Sequence, residues 1–176
     1  MPSINMIAVC GGLLTATLLF VTHYLPALPL WATFIAWACF YHLGGSNMPG
    51  KVFAATLIHM GFGAGAAWLT ALVLLNTPWQ DGWAGVLMPP VLIGIAIALI
   101  LRIGSYARLS VTPAIIYGYA AIWAYLSIDG HFSMAALLSP TLQNALVAVS
   151  ICIALGVCMG FINATLVSKL AHRQTV

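Results

Sequence analysis

Formal charge is what this sequence most clearly lacks. Charged residues make up 4% of its 176 positions, and only two of them, Asp81 and Asp129, are acidic. Soluble domains carry roughly 25% charged residues. Hydrophobic residues make up 63% of the chain, and the first formal charge is Lys51. This composition predicts a protein that folds in a lipid bilayer, where only helices or closed barrels satisfy the backbone.

The sequence also lacks the motifs of common enzyme and cofactor sites. It has no His-Glu-x-x-His, no complete phosphate loop and no Ser-His-Asp set with a buried acid. Its four cysteines form no Cys-x-x-Cys pair and are expected to be free and buried. The apolar segments contain no carboxylate, which argues against a proton-coupled pump and against metal-ion transport. We therefore expect no enzymatic activity, cofactor or metal, and the net charge of +3 requires no nucleic-acid partner.

Long apolar runs divide the chain into six segments joined by short loops. The runs show no alternation of period two, which favours helices over a barrel. The second and fifth segments are only just long enough to cross a hydrocarbon core of about 30 Å. An all-α integral membrane protein is predicted, with residues 1–176 forming a single membrane domain. The predicted transmembrane helices cover residues 4–25, 29–43, 51–75, 83–103, 110–127 and 141–169.

The few charges predict the orientation of these helices. Every basic residue follows the second, fourth or sixth segment, whereas both acidic residues follow the third or fifth. Six helices with both termini in the cytoplasm therefore satisfy the positive-inside rule without exception. Cys10 could mark a lipoprotein site, but the apolar run before it is very short, so a retained first helix is expected. The basic residues are Lys51, Arg102, Arg108, Lys169 and Arg173.

Two aromatic segments indicate an internal repeat. The stretch "WATFIAWACFYHL" aligns without a gap on "PAIIYGYAAIWAY", which pairs Trp37 with Tyr119 and Tyr41 with Trp123. In each half an aromatic helix is followed by a loop and a glycine-bearing helix. Because a unit of three helices is odd, the second copy would enter from the opposite side, giving a 3+3 inverted repeat. Repeat 1 would cover about residues 4–76 and repeat 2 about residues 83–171.

The glycine-bearing helices extend the alignment. Gly61 and Gly65 in the third segment align with Gly156 and Gly160 in the sixth. Small residues four apart let helices approach closely in a membrane, so these glycines are predicted to pack helices together. Gly44-Gly45 is interpreted as a helix stop and Pro49-Gly50 as a turn.

The opposite face of the third segment is weakly polar. At 100° per residue, Thr56, His59 and Gly63 share this face. A polar side chain at such depth faces the protein interior or a water-filled cavity. The alternative for His59 is a neutral imidazole bonded to a neighbouring hydroxyl or carbonyl group.

The aromatic stripes have two interpretations. Trp37 and Tyr41 share one helix face, and Tyr119 and Trp123 share the matching face of the other helix. They either pack in the core or frame a narrow path with flat walls, a phenol and an indole donor. Together with Thr56, His59 and Gly63, they are the candidate residues that line such a path.

The order of several apolar stretches resembles a known family. "CGGLL", "FIAWACFYHLGG" before a lysine-led helix, "LSVTPAIIYGYAAIWAY" and "LGVCMGFINA" run through most of the chain. In this order and spacing the chain resembles the YcdZ-like family, small bacterial inner-membrane proteins with a domain of unknown function. The resemblance implies a location in the bacterial inner membrane and assigns no functional residue.

Two classes of function fit the sequence. The first is a channel or facilitator for a small uncharged or weakly basic solute. The second is a non-transporting membrane scaffold or a subunit of an envelope assembly. The expected partners are the lipid bilayer and, for the first class, a small-molecule solute. A chain of 18.6 kDa with glycine-bearing faces is also expected to form a homo-oligomer.

Overall fold

Within residues 4–23, 28–78, 82–106 and 109–173, which the computed structural model describes, the chain forms seven α-helices. Within these ranges there is no β-strand. The prediction of orientation depends in part on Asp81 and Arg108, which lie outside the described residues. The helices are α1 (Ile4–Thr22), α2 (Leu30–His42), α3 (Pro49–Asn76), α4 (Trp83–Ile103), α5 (Thr112–Leu126), α6 (Met134–Leu138) and α7 (Ala145–Arg173).

All six apolar segments contain a helix, and several predicted boundaries differ from the observed ones by up to four residues. Pro49-Gly50 is not a separate turn, because α3 begins at Pro49. Proline suits the first helical position, where its missing N–H would have no partner in the helix. The last long helix begins at Ala145, and not at residue 141 as predicted. The chain first forms the short helix α6, which the pattern of apolar residues did not predict.

The predicted helix stop after the second segment is confirmed. Gly44 follows α2 with a φ of 85°, in the left-handed region that glycine adopts without steric strain. Its N–H donates to the carbonyl oxygen of Tyr41 at 3.0 Å, and the N–H of Gly45 donates to that of Phe40, also at 3.0 Å. These bonds satisfy carbonyl groups at the end of α2.

Four of the helices are long and apolar enough to cross a membrane: α1, α3, α4 and α7. The other two predicted spans are shorter. With 13 residues in α2 and 15 in α5, these helices extend only about 20 Å each at 1.5 Å per residue.

The contacts within the chain define two compact units. Unit 1 comprises Met1–Leu57 and Cys152–Val176, and unit 2 comprises Ile58–Ile151. Unit 1 therefore contains α1, α2, the start of α3 and most of α7. Unit 2 contains the rest of α3, then α4, α5, α6 and the start of α7.

In unit 1, α2 approaches α7 closely at two glycines. A Cβ atom added at Gly156 would overlap the carbonyl oxygen of Thr33 and lie 2.8 Å from Cβ of Ala36. A Cβ added at Gly160 would lie 2.6 Å from Cδ1 of the fully buried Phe40. The absence of side chains at Gly156 and Gly160 therefore lets these two helices come together.

In unit 2, α5 approaches α3 in a similar way. A Cβ added at Gly63 would overlap the carbonyl oxygen of Ile115 and lie 2.9 Å from the backbone nitrogen of Tyr119. A Cβ added at Gly118 would overlap the carbonyl oxygen of Met60. The close approach in this unit thus depends on one glycine from each helix.

The short helix α6 is held in unit 2 by hydrogen bonds to its carboxyl end. The indole N–H of Trp68 donates to the carbonyl oxygen of Leu137 at 2.9 Å. The side-chain amide of Asn144 donates to the same oxygen at 2.9 Å and to the carbonyl oxygen of Ser139 at 3.0 Å. Its Oδ1 accepts from the N–H of Leu146, so Asn144 also caps α7.

Replacing Asn144 with alanine should destabilise unit 2. The substitution removes a helix cap worth about 1 kcal/mol and leaves a buried carbonyl oxygen with fewer donors. We expect a clear fall in the melting temperature of the purified protein. The control is Gln143→Ala at the exposed neighbouring position, which should leave the melting temperature almost unchanged; an equal fall in both variants would contradict the role given to Asn144.

Candidate functional site

The candidate path residues are distributed over both units. Trp37, Tyr41 and Thr56 belong to unit 1, whereas the remaining four belong to unit 2. The four in unit 2 are His59, Gly63, Tyr119 and Trp123.

A groove in unit 1 has a volume of about 380 Å³ and brings together residues from α1, α2 and α7. Its aromatic wall includes Trp37 and Tyr41, which lie one helical turn apart on α2 as their spacing predicts. Among the residues that the structure describes, no formally charged side chain lines it. The lining residues are Ile7, Ala8, Gly11, Gly12, Phe34, Trp37, Ala38, Tyr41 and Asn163.

Two buried polar atoms of this groove have no hydrogen-bond partner among the described residues. They are Nε1 of Trp37, a donor that lies beside the hydroxyl group of Tyr41 without a well-aligned hydrogen bond to it, and Oδ1 of Asn163, an acceptor. Asn163 is 1% exposed. An unpaired buried polar group costs about 1–3 kcal/mol, so a polar partner would stabilise each of these atoms.

Unit 2 contains a chain of aromatic contacts that begins on α5. The ring centroids of Tyr119 and Trp123 are 6.3 Å apart, and those of Trp123 and Phe132 are 6.1 Å apart. The hydroxyl group of Tyr119 and Nε1 of Trp123 are buried without a hydrogen-bond partner among the described residues. This cluster therefore contains a phenol and an indole N–H, which are the groups named for the candidate path.

The weakly polar stripe of α3 is buried. His59 is 6% exposed, and the hydroxyl group of Thr56 is already used within the helix. It donates to the carbonyl oxygen of Val52 at 2.8 Å. Gly63 lies at the crossing with α5, where its missing side chain serves helix packing.

The predicted packing glycines of α3 have more space. Among the described residues, no atom lies within 4 Å of a Cβ added at Gly61 or Gly65, apart from their own helix backbone and chain neighbours. Gly65 instead lines an apolar groove of about 570 Å³ in unit 2, between α3 and α4. Leu69 and Leu99 contribute to the walls of this groove, which has almost no polar surface.

Sequence reasoning missed Asn163 and Gly11. Asn163 is the polar residue in the stretch "LGVCMGFINA", and an amide side chain within an apolar helix is itself a signal for a site. Gly11 belongs to the stretch "CGGLL". Their proximity could not be read from the sequence, because α1 and α7 lie at opposite ends of the chain.

These features define an all-helical membrane protein with polar atoms held among aromatic rings. The chain belongs to a family described as proteins of unknown function, DUF1097, whose family model matches residues 8–168. Comparisons with curated proteins and with solved structures found no match.

Proposed function

We propose that this protein is a passive conduit for a small uncharged or weakly basic solute across the bacterial inner membrane. The observation that carries the proposal is the set of buried polar atoms without partners on α2 and α5. Nε1 of Trp37 and the hydroxyl group of Tyr119 occupy aligned positions in the two halves of the sequence. Because lipid offers such atoms no hydrogen bond, water or a passing solute is their natural partner.

The close helix crossings support an internal repeat. The alignment that pairs Trp37 with Tyr119 also pairs Thr33 with Ile115. The carbonyl oxygens of Thr33 and Ile115 are the atoms that a Cβ at Gly156 and at Gly63, respectively, would overlap.

For the proposed repeat, the same contacts favour a different register of the glycine-bearing helices. They make Gly63, rather than Gly61, the counterpart of Gly156. We therefore propose a 3+3 repeat in which α3 is shifted by two residues relative to the sequence alignment.

The proposal includes six crossings. Each of the short helices α2 and α5 would span the membrane with the help of the non-helical backbone next to it. A membrane tolerates such backbone where it is buried in protein or lines a water-filled cavity. An odd number of crossings per repeat then makes the two copies inverted.

The homo-oligomer remains part of the proposal, and native mass spectrometry in mild detergent showing only monomer would contradict it.

Orientation gives a direct prediction. In a cysteine-free background, Lys51→Cys should react with an impermeant thiol reagent only from the cytoplasmic side. Asp129→Cys should react only from the opposite side, because it follows the fifth crossing. Labelling of both positions from the same side of intact and inverted vesicles would contradict the six-helix orientation.

The solute proposed is neutral or weakly basic. Neither α2 nor α5 contains an Asp, Glu, Lys or Arg residue, so neither helix carries a permanent charge that compensates an ion that loses its water. Indole and phenol groups instead provide hydrogen bonds and flat surfaces. No covalent step is required of any residue.

A flux screen with the purified protein in liposomes tests the function. Urea, acetamide, glycerol and methylamine should be compared with sodium and chloride ions. The expected result is faster entry of at least one neutral or weakly basic solute than into protein-free liposomes, without ion leakage. Entry rates equal to those of protein-free liposomes for every solute would overturn the proposal and favour the membrane scaffold.

A further inference from the structure

The groove in unit 1 combines features that point to one chemical class of ligand. It is lined by a buried amide, a buried indole N–H and aromatic walls, without a formal charge. We propose that this groove binds a flat, uncharged molecule bearing a carboxamide group, with Asn163 and Trp37 as its hydrogen-bonding residues.

The indole of Trp37 spans the distance between two helices. Its Cδ1 atom would lie 3.1 Å from a Cβ added at Gly160 on α7, and its Cζ2 atom 3.7 Å from a Cβ added at Gly11 on α1. Nε1 lies on the ring edge between these two carbon atoms. The N–H group is therefore on the edge of the ring that passes between α7 and α1.

Asn163 shares this region. It follows Gly160 by three residues on α7, so the two positions lie on the same face, about one turn apart. Nδ2 of Asn163 would lie 3.3 Å from a Cβ added at Gly11. Gly11 thus borders both polar side chains, and its lack of a side chain keeps the space beside them open.

The donors and acceptors select the ligand. Trp37 offers only a donor, so the ligand must present an acceptor. The amide of Asn163 carries a donor, Nδ2, beside Gly11 and an acceptor, Oδ1, that has no donor among the described residues, so a ligand with both an acceptor and an N–H group matches it. A carboxamide carries a carbonyl oxygen and an N–H group side by side, and it can pair with the amide of Asn163 in the same way.

The walls select a flat shape. The rings of Phe34 and Trp37 are stacked at 26° with their centroids 6.4 Å apart, and Tyr41 lies one turn further along α2. A volume of about 380 Å³ falls within the range of small-molecule sites. An aromatic amide therefore fits the groove better than a small alcohol, which would leave the aromatic walls uncovered.

The inference that this ligand is the transported solute rests on the proposed conduit. Binding of the ligand to the groove can nevertheless be measured without transport. The probe is benzamide, titrated by calorimetry into the full chain in lipid nanodiscs, with empty nanodiscs subtracted. Acetophenone is the matched ligand, because it keeps the ring and the carbonyl group and lacks the N–H donor. Benzamide should bind at least about tenfold more tightly than acetophenone, a difference of about 1.4 kcal/mol.

Two variants place the binding in the groove. Asn163→Leu should reduce benzamide affinity by about tenfold or more and remove the preference over acetophenone. Gly11→Leu should block binding, because the new side chain fills the groove from α1. The span of α1 is largely exposed, so this variant is expected to fold and keeps the test decisive if Asn163→Leu fails to fold. The matched control Asn76→Leu, at an exposed position in unit 2, should bind benzamide like the wild type.

The outcomes separate the inference from the conduit. Preferential benzamide binding that depends on Asn163, without flux of any solute, would support the carboxamide site and overturn the conduit. Flux of neutral solutes together with equal binding of benzamide and acetophenone would overturn the carboxamide site alone. Unchanged benzamide binding in Asn163→Leu or Gly11→Leu would also overturn it.

Discussion

Replacing either Gly63 or Gly156 with alanine should lower the melting temperature by about 2–12 °C. At each position the new Cβ would overlap a backbone carbonyl oxygen of the facing helix, that of Ile115 or of Thr33. A carbonyl oxygen cannot turn aside as a side chain can, so the helices must separate. Overpacking of this kind costs about 1–3 kcal/mol, occasionally more, and each kcal/mol shifts the melting temperature by about 2–4 °C in a chain of this size.

Gly61→Ala and Gly65→Ala are the matched controls on the same helix. Among the described residues, their added Cβ atoms meet nothing within 4 Å outside their own helix backbone and chain neighbours. Alanine favours a helix over glycine by roughly 0.5–1 kcal/mol, so the melting temperature should stay the same or rise slightly. A fall at Gly61 as large as that at Gly63 would contradict the helix crossing described for unit 2.

Shortening the aromatic side chains should change which solutes pass. Trp37→Ala and Tyr119→Ala remove large flat walls, so solutes larger than the wild-type limit should enter proteoliposomes measurably faster. If these residues only pack in the core, the same truncations should cost about 3–5 kcal/mol and leave the flux unchanged. Initial rates of solute entry and melting temperatures should therefore be measured on the same protein samples.

The phenylalanine variants isolate the polar atoms. Trp37→Phe and Tyr119→Phe keep an aromatic wall and remove Nε1 or the hydroxyl group. Losing one hydrogen bond worth about 0.5–1.5 kcal/mol should slow entry of a small polar solute by about two- to tenfold without raising the size limit. Unchanged flux in both variants, with only their stability lowered, would indicate core packing.

The positions of the long helices follow directly from the sequence, because apolar runs and glycine or proline residues at their ends are local signals. Gly44 ends α2 as predicted, and Trp83–Ile103 forms α4 with the predicted bounds. The short helix α6 was not predicted because its place depends on bonds from Trp68 and Asn144, which are distant in sequence or outside the helix.

The glycine contacts show that residue spacing does not predict which glycines of a helix contact a neighbouring helix. Gly61-x-x-x-Gly65 matches the small-residue pattern for helix packing, but the backbone contact in unit 2 forms at Gly63. Spacing identifies faces that could approach a neighbour and does not identify which neighbour is present. Spacing alone predicts that Trp37 and Tyr41 share one face of α2. Asn163 comes next to them only through the packing of α7, which spacing does not predict.

The most direct test of the conduit is the entry rate of acetamide into proteoliposomes as the protein-to-lipid ratio is varied. A protein carrying both Trp37→Phe and Tyr119→Phe serves as the comparison, at equal reconstitution. If the protein is a conduit, the rate rises in proportion to the amount of wild-type protein and rises less steeply for the double variant. A wild-type rate no greater than that of protein-free liposomes, or equal slopes for the two proteins, would contradict it.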